Sequence, residues 1–306
     1  MSGIDRNKDR ALGAVVGLAV GDALGTAVEF KVRGSFSPVT DMRGGGTFHL
    51  KPGEWTDDTS MALCLIDSLN ATAELDPRDL ADRFVRWWLS GENSVTGRCF
   101  DIGNVTTAAL ERYRNTGDPI AGSTDPRSAG NGSLMRLSPI AVRFHTRTTA
   151  CEQARIQSAV THRAPACLDA CAWFAALLHR AIFGASKAEV LAPIPMLDAT
   201  AEIAAIAAGG WRDKTEAQIR STGYVVDTLE AALWCVDRSD TFRDAVLRAA
   251  NLGHDADTVA AVTGQLAGAL WGLSAIPPHW LAQLAWRDDI VARTTRLWDA
   301  GSATPR

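Results

Sequence analysis

The segments DDTSMALCLIDSL, residues 57–69, and DADTVAAVTGQLAGALWG, residues 255–272, constrain this chain more than any other feature. Each reads as a helix with almost no polar face, and each is entered through acids: Thr56, Asp57 and Asp58 in the first, Asp255, Asp257 and Thr258 in the second. A helix that is apolar on nearly all sides is buried, so its N-terminus is expected inside the protein too. Asp and Thr are favoured at helix starts, where they accept unpaired backbone N–H groups and meet the positive end of the helix dipole. That explanation suffices for one copy. Two copies bring four carboxylates together, and each dipole supplies only about half a charge. Mutual protonation can relieve one pair. Hard divalent cations, Mg²⁺ or Mn²⁺, take carboxylate and hydroxyl oxygens alike and answer the whole set. Two helix starts suit a two-metal site bridged by a shared Asp, with ions about 3.5–4 Å apart.

Helical periodicity dominates elsewhere, with candidate helices at 7–25, 57–73, 77–90, 103–114, 134–144, 149–161, 166–183, 186–191, 199–208, 214–220, 223–237, 240–251, 257–272 and 278–300. Strand alternation is weak throughout and Ala is abundant, which predicts an all-α fold, a single compact orthogonal helical bundle. No Pro-rich, Ser-rich or charged linker divides the 306 residues, so one domain over 1–306 is expected. A net charge of -4 without a basic cluster argues against nucleic acid or an anionic membrane as partner and for a small ligand. No long exposed apolar stripe stands out, so a monomer is expected.

The N-terminus imitates a signal peptide, with Arg6, Lys8 and Arg10 before an apolar run, but Asp5 and Asp9 dilute the charge and Asp22 interrupts the run. The run is also too short to span a bilayer. Gly13, Gly17, Gly21 and Gly25 recur every four residues and lie along one ridge, which suits a central helix against another backbone rather than a cleaved leader. A cytoplasmic location is therefore expected. Of the six cysteines, five sit in apolar helical stretches and none forms a CxxC pair, so reduced core thiols are expected; Cys167 and Cys171 share a helix face but lack a matching pair for a metal.

Two long irregular stretches interrupt the helices, and such loops are commonly lids or binding loops. The first, from Lys31, ends at the acidic motif. The second, from Asn115, ends in Gly130, Asn131, Gly132 and Ser133 before a helix expected near Leu134, an arrangement that can aim backbone N–H groups at an anion. Among all-α metal chemistries, an isoprenoid synthase wants DDxxD, and DDTSM lacks the second acid. A His-Asp phosphohydrolase could use His254 and Asp255, yet the acid-rich pair of motifs is not what imidazole-led coordination needs.

The ordered set VVGLAVGDALGTAVEF, WTDDTSMAL, GRCFDIGNVTTAAL, GNGSLMRLSPIAV, THRAP, GYVVDTLEAALWC and GHDADTVAAVTGQLAGALWG resembles the ADP-ribosylglycohydrolase family from about residue 11 to 275, and CFDIGN is most similar to its bacterial dinitrogenase-reductase-activating branch. The resemblance implies an all-α fold around two Mg²⁺ or Mn²⁺ ions, cleavage of the bond joining ADP-ribose to a protein side chain, and release of ADP-ribose. It would give Thr56, Asp57 and Asp58 one ion, Asp255 and Thr258 the other, and Asp257 the bridge. Glu29 matches the position of an acid that approaches the second ion and, in some members, the reacting ribose, and Asp101 the carboxylate proposed to act in the bacterial branch. Asn104 matches a neighbouring substrate contact, Ser128, Gly130, Asn131, Gly132 and Ser133 the diphosphate loop, and His162 a pocket histidine. Tyr224 is a candidate for stacking on adenine. Which of Asp101 and Glu29 serves as acid or base stays open. The implied linkage is ADP-ribosylarginine, with serine-, O-acetyl- or nucleobase-linked ADP-ribose, or a non-catalytic binder, as the alternatives.

Overall fold

The chain is seen in a computed structural model that describes residues 5–302 other than 73 and 197. Among these residues fourteen α-helices form and no strand does. The helices are α1 (Arg6–Gly25), α2 (Asp57–Ala71), α3 (Pro77–Ser90), α4 (Asn104–Thr116), α5 (Ser138–Arg143), α6 (Arg147–Ala159), α7 (Pro165–Ile182), α8 (Lys187–Leu191), α9 (Ala201–Ala207), α10 (Val225–Asp237), α11 (Phe242–Ala250), α12 (Ala256–Trp271), α13 (Pro278–Gln283) and α14 (Arg287–Ser302). The all-α expectation holds. All six cysteines are free thiols, and no helix among the described residues is long and apolar enough to cross a membrane.

The most extensive helix pair is α1 with α12, and it runs antiparallel through the core. A Cβ added at Gly13, Gly17, Gly21 or Gly25 would lie 2.4, 2.3, 2.1 and 2.3 Å from the carbonyl oxygens of Gly268, Gly264, Ala260 and Ala256. The glycine ridge therefore meets a second small-residue ridge, also at four-residue spacing, and the two backbones touch. Every residue of α1 from Gly13 to Gly25 is buried, as is α12 from Ala256 to Leu270. The register fixes the site: the C-terminus of α1 lies against the N-terminus of α12, with the start of α2 beside both.

Three expected helices differ in the structure. The helix expected from residue 134 begins only at Ser138, because the Gln265 amide donates to the carbonyls of Leu134 and Met135 (3.2 and 2.6 Å) while its oxygen accepts from Ser138 N–H (2.7 Å). Pro139, which suits the first turn of a helix, sets the start there. The span 214–220 forms only a 3₁₀ turn, Glu216–Gln218. The helix expected over 278–300 is two, α13 and α14, separated where Trp286 adopts φ 56°. That break is held from the first long loop, since Ala285 N–H donates to Gly53 O (2.9 Å) and Trp55 Nε1 donates to Ala285 O (3.3 Å).

Candidate metal centre and ligand cavity

The acids before α2 and α12 are not explained by capping. Thr56 and Asp255 occupy the two N-cap positions, and neither side chain makes a cap hydrogen bond. The cap of α2 comes from another helix: Asp22 of α1 accepts from Thr56 N–H and Oγ1 through one oxygen (both 2.9 Å) and from Thr59 N–H and Oγ1 through the other (3.0 and 2.6 Å). Asp22 is fully buried. Its importance escapes the local motifs, but a lone acid inside a helix buried on all sides is the signal that could have marked it, since such a group needs a partner.

Around Asp22 stand Asp58 and Asp257, with Asp57, Asp255, Glu29 and Asp101 above them. Oxygens of Asp22, Asp58 and Asp257 lie within 4.8 Å of one another, and so do those of Glu29, Asp101 and Asp257. Asp257 belongs to both groups. Thr56 Oγ1 is 3.3 Å from Asp257 Oδ2 and 3.4 Å from Asp58 Oδ2, and Thr258 Oγ1 is 3.4 Å from that Asp58 oxygen. Asp101 is itself left-handed (φ 61°), three residues before α4 begins.

Burial and mutual repulsion raise these carboxyls. Asp57, Asp58 and Asp257 lie well above the ordinary range, desolvation being the largest cause and neighbouring carboxylates the next. The same causes push Glu29 up to about 10 and Asp101 to about 8. Asp22 reaches only about 6, because its four donors oppose burial. Asp255 is raised by burial and partly restored by the Asn131 amide, which donates to it at 2.6 Å. Four buried oxygens, Glu29 Oε2, Asp58 Oδ1, Asp101 Oδ2 and Asp257 Oδ1, have no hydrogen-bond partner. Unpartnered carboxylate oxygens converging at this spacing are the donor set that hard divalent cations take, so these residues fit a metal.

The acids floor a cavity of about 720 Å³, within the range of small-ligand sites. Asp57, Asp255, Asp257, Thr258, Glu29 and Asp101 line it together with Asn104, Gly130, Asn131, Gly132 and His162. Thr56 and Asp58 lie beneath the floor, both fully buried. Three expected contacts stand outside the lining. Ser133 is fully buried and turned to Ser158 (Oγ to Oγ 2.7 Å), Ser128 donates to Asp125 O at 2.7 Å, and Tyr224 is joined to the wall by its backbone bridge with Gly130. A second bridge, Ser123 with His162, brings the histidine to the same loop. Phe30, which the sequence reading did not single out, lines the mouth; it is 63% exposed and left-handed (φ 62°), with Phe48 and Phe100 in a chain of ring contacts behind it.

Buried carboxylates opening onto such a cavity define an all-α protein with an acidic cluster that could hold metal beside a ligand-sized cavity. The chain belongs to the ADP-ribosylglycohydrolase family, whose sequence model matches residues 4–305. It is 50% identical over 299 residues to the ADP-ribosylarginine hydrolase Tri1 of Pseudomonas putida, covering 95% of this chain and 78% of that protein. It is 36% identical to the ADP-ribosyl-[dinitrogen reductase] glycohydrolase of Rhodospirillum rubrum, over 90% of each chain. The solved structure of an ADP-ribosylglycohydrolase-related protein complex matches with a TM-score of 0.87 and 42% identity, over 97% of this chain and 100% of that one. The family resemblance read from the ordered motifs is thereby shown.

Proposed function

We propose that the chain is a divalent-cation-dependent hydrolase that releases ADP-ribose from modified proteins by cleaving the N-glycosidic bond of ADP-ribosylarginine. The observation that carries this reading is the Asp257 carboxylate, shared by two groups of converging buried acids at the floor of a ligand-sized cavity. The linkage follows the relatives named as ADP-ribosylarginine hydrolases, 50% and 47% identical over most of the chain.

In this reading Asp58 and Asp257, with Thr56 and Asp57, would hold one cation beside Asp22, whose own oxygens are taken by Thr56 and Thr59. Asp257, Glu29 and Asp101 would hold or face the second, with Asp255 and Thr258 beside it. When bound, Mg²⁺ or Mn²⁺ supplies Lewis-acid charge that orients the ribose hydroxyls and acidifies a water. The reaction forms a bond from water oxygen to the anomeric carbon and breaks the bond from that carbon to the guanidine nitrogen, through an oxocarbenium-like transition state. Asp101 and Glu29 border the reacting centre and can carry the two protons, one taken from the water and one delivered to the departing guanidine. The diphosphate lies over Gly130, Asn131 and Gly132. Asn131 has a second task, since its amide is committed to Asp255 and to Thr228 Oγ1 (2.9 Å). The adenine extends toward Thr222 and Gly223, with Tyr224 at that edge.

The test is release of free ADP-ribose from an ADP-ribosylarginine peptide and a matched ADP-ribosylserine peptide, each with Mn²⁺ or with chelator. Metal-dependent release from the arginine peptide alone is expected. Release from the serine peptide alone would reassign the linkage.

A further inference from the structure

Arg136 is fully buried, yet none of its hydrogen bonds goes to a carboxylate. Its Nε donates to Gln157 Oε1 (3.0 Å) and its Nη2 to Gln157 O and Thr161 Oγ1 (both 2.9 Å), while the guanidinium lies 4.4 Å over the Phe84 ring. A buried arginine without a counter-ion is costly, so its partners merit following outward. Thr161 Oγ1 is 2.8 Å from His162 Nδ1, and both residues are buried. Gln157 Nε2 donates to Ser133 O (2.9 Å). One guanidinium thus holds both the glycine loop and the histidine packed beside it.

The direction of the chain follows from proton counting. Arginine only donates, and a hydroxyl has one proton to give. If His162 carried its proton on Nδ1, Thr161 Oγ1 would receive from both neighbours and its own proton would be buried without an acceptor, at the cost of an unmade hydrogen bond. With Arg136 donating to Thr161 and Thr161 donating to Nδ1, the hydroxyl and Nδ1 are both satisfied and the ring proton sits on Nε2. That edge faces the loop: a Cβ at Gly132 would lie 3.1 Å from Nε2, and one at Gly130 3.3 Å. A side chain at either position would close the space in front of it.

We propose that Arg136, acting through Thr161, is a positioning residue that locks His162 in the Nε2–H tautomer, so that the wall beside Gly130 and Gly132 presents an uncharged hydrogen-bond donor to an oxygen of bound ADP-ribose. The ligand half of this inference rests on the cavity being the ADP-ribose site. Burial, and after it the neighbouring guanidinium, also hold the ring neutral, pushing His162 down to about 3.

The test is a long-range proton–nitrogen NMR spectrum of the full chain, with His162 assigned among the six histidines by its loss in His162→Gln. Wild type is expected to show Nε2 protonated. Thr161→Val should move the proton wholly or partly to Nδ1 and raise KM about tenfold with kcat within about twofold, the worth of one hydrogen bond in binding. Thr161→Ser should restore both. An Nδ1–H tautomer in wild type, or an unchanged tautomer in Thr161→Val, would overturn the relay, and the wild-type spectrum decides this even if the valine variant does not fold. A changed tautomer with unchanged KM would overturn the contact to ligand. Failure of wild type to bind ADP-ribose by calorimetry would instead strike the assignment of the cavity, and with it the ligand half.

Discussion

Along most of α1 and α12 the side chains that could separate the two backbones are absent, whereas at the end of the same pair seven carboxyl groups are held together against their charge. The seam stabilises the fold: four glycines on α1, from Gly13 to Gly25, meet carbonyls of α12, and extra volume there strains the core. The cage opposes it, because each buried ionised acid costs several kcal/mol of desolvation before any repulsion. Residues a few positions apart on one helix, Ala260 and Asp257, therefore serve opposite ends. The difference teaches that the rigid seam is what makes the cage possible, since it fixes the helix ends on which the acids stand.

Asp257→Asn should separate the two regions most sharply. Release of ADP-ribose should fall by on the order of 10³-fold, the rate equivalent of several kcal/mol of lost charge stabilisation, while calorimetric unfolding in chelator shows the variant more stable than wild type by about 1–3 kcal/mol. A less stable metal-free variant would erase the contrast. In the seam, Gly21→Val should destabilise by about 3 kcal/mol or prevent folding, with no gain from added metal, because its Cβ would sit 2.1 Å from Ala260 O; urea titration reads this. Saturating Mn²⁺ should stabilise wild type by about 2.7 kcal/mol at a hundredfold excess over Kd and leave Asp257→Asn nearly unmoved, as thermal shift would report. Asp22 sharpens the comparison because it is the one acid of the cage with both oxygens fully engaged. Asp22→Asn cannot accept from both Thr56 and Thr59 and should cost about 1–2 kcal/mol without metal, opposite in sign to Asp257→Asn. The smallest effect is expected at Tyr224, outside the cavity lining, where Tyr224→Ala should raise KM about threefold and leave kcat alone.

The seam was legible because its signal is local and periodic, glycine at every fourth position before any partner is known. The acids of TDDT and DADT were legible for a related reason: two local motifs each carried more charge than a helix start needs. Asp22 was not, because its partners Thr56 and Thr59 lie 34 and 37 residues on and nothing near it in sequence shows them. The late start of α5 has the same origin, in a side chain of α12, Gln265, that takes the carbonyls a helix would have used. The break before α14 escaped because apolar periodicity continues through it while Gly53 and Trp55, far away in sequence, hold the backbone at Ala285. Ser133 reads as a loop ligand beside Gly132, yet tertiary packing turns it to Ser158. The motifs marked the acids that cluster, and long-range hydrogen bonds decided which residues line the cavity.

The central claim is that the cage is a cation site, and calorimetric titration of Mn²⁺ into metal-free protein tests it most directly. Two ions per chain in wild type, with loss of both or of all but weak binding in Asp257→Asn, is the result expected. No heat of binding at millimolar Mn²⁺ or Mg²⁺, with the protein folded, would contradict it.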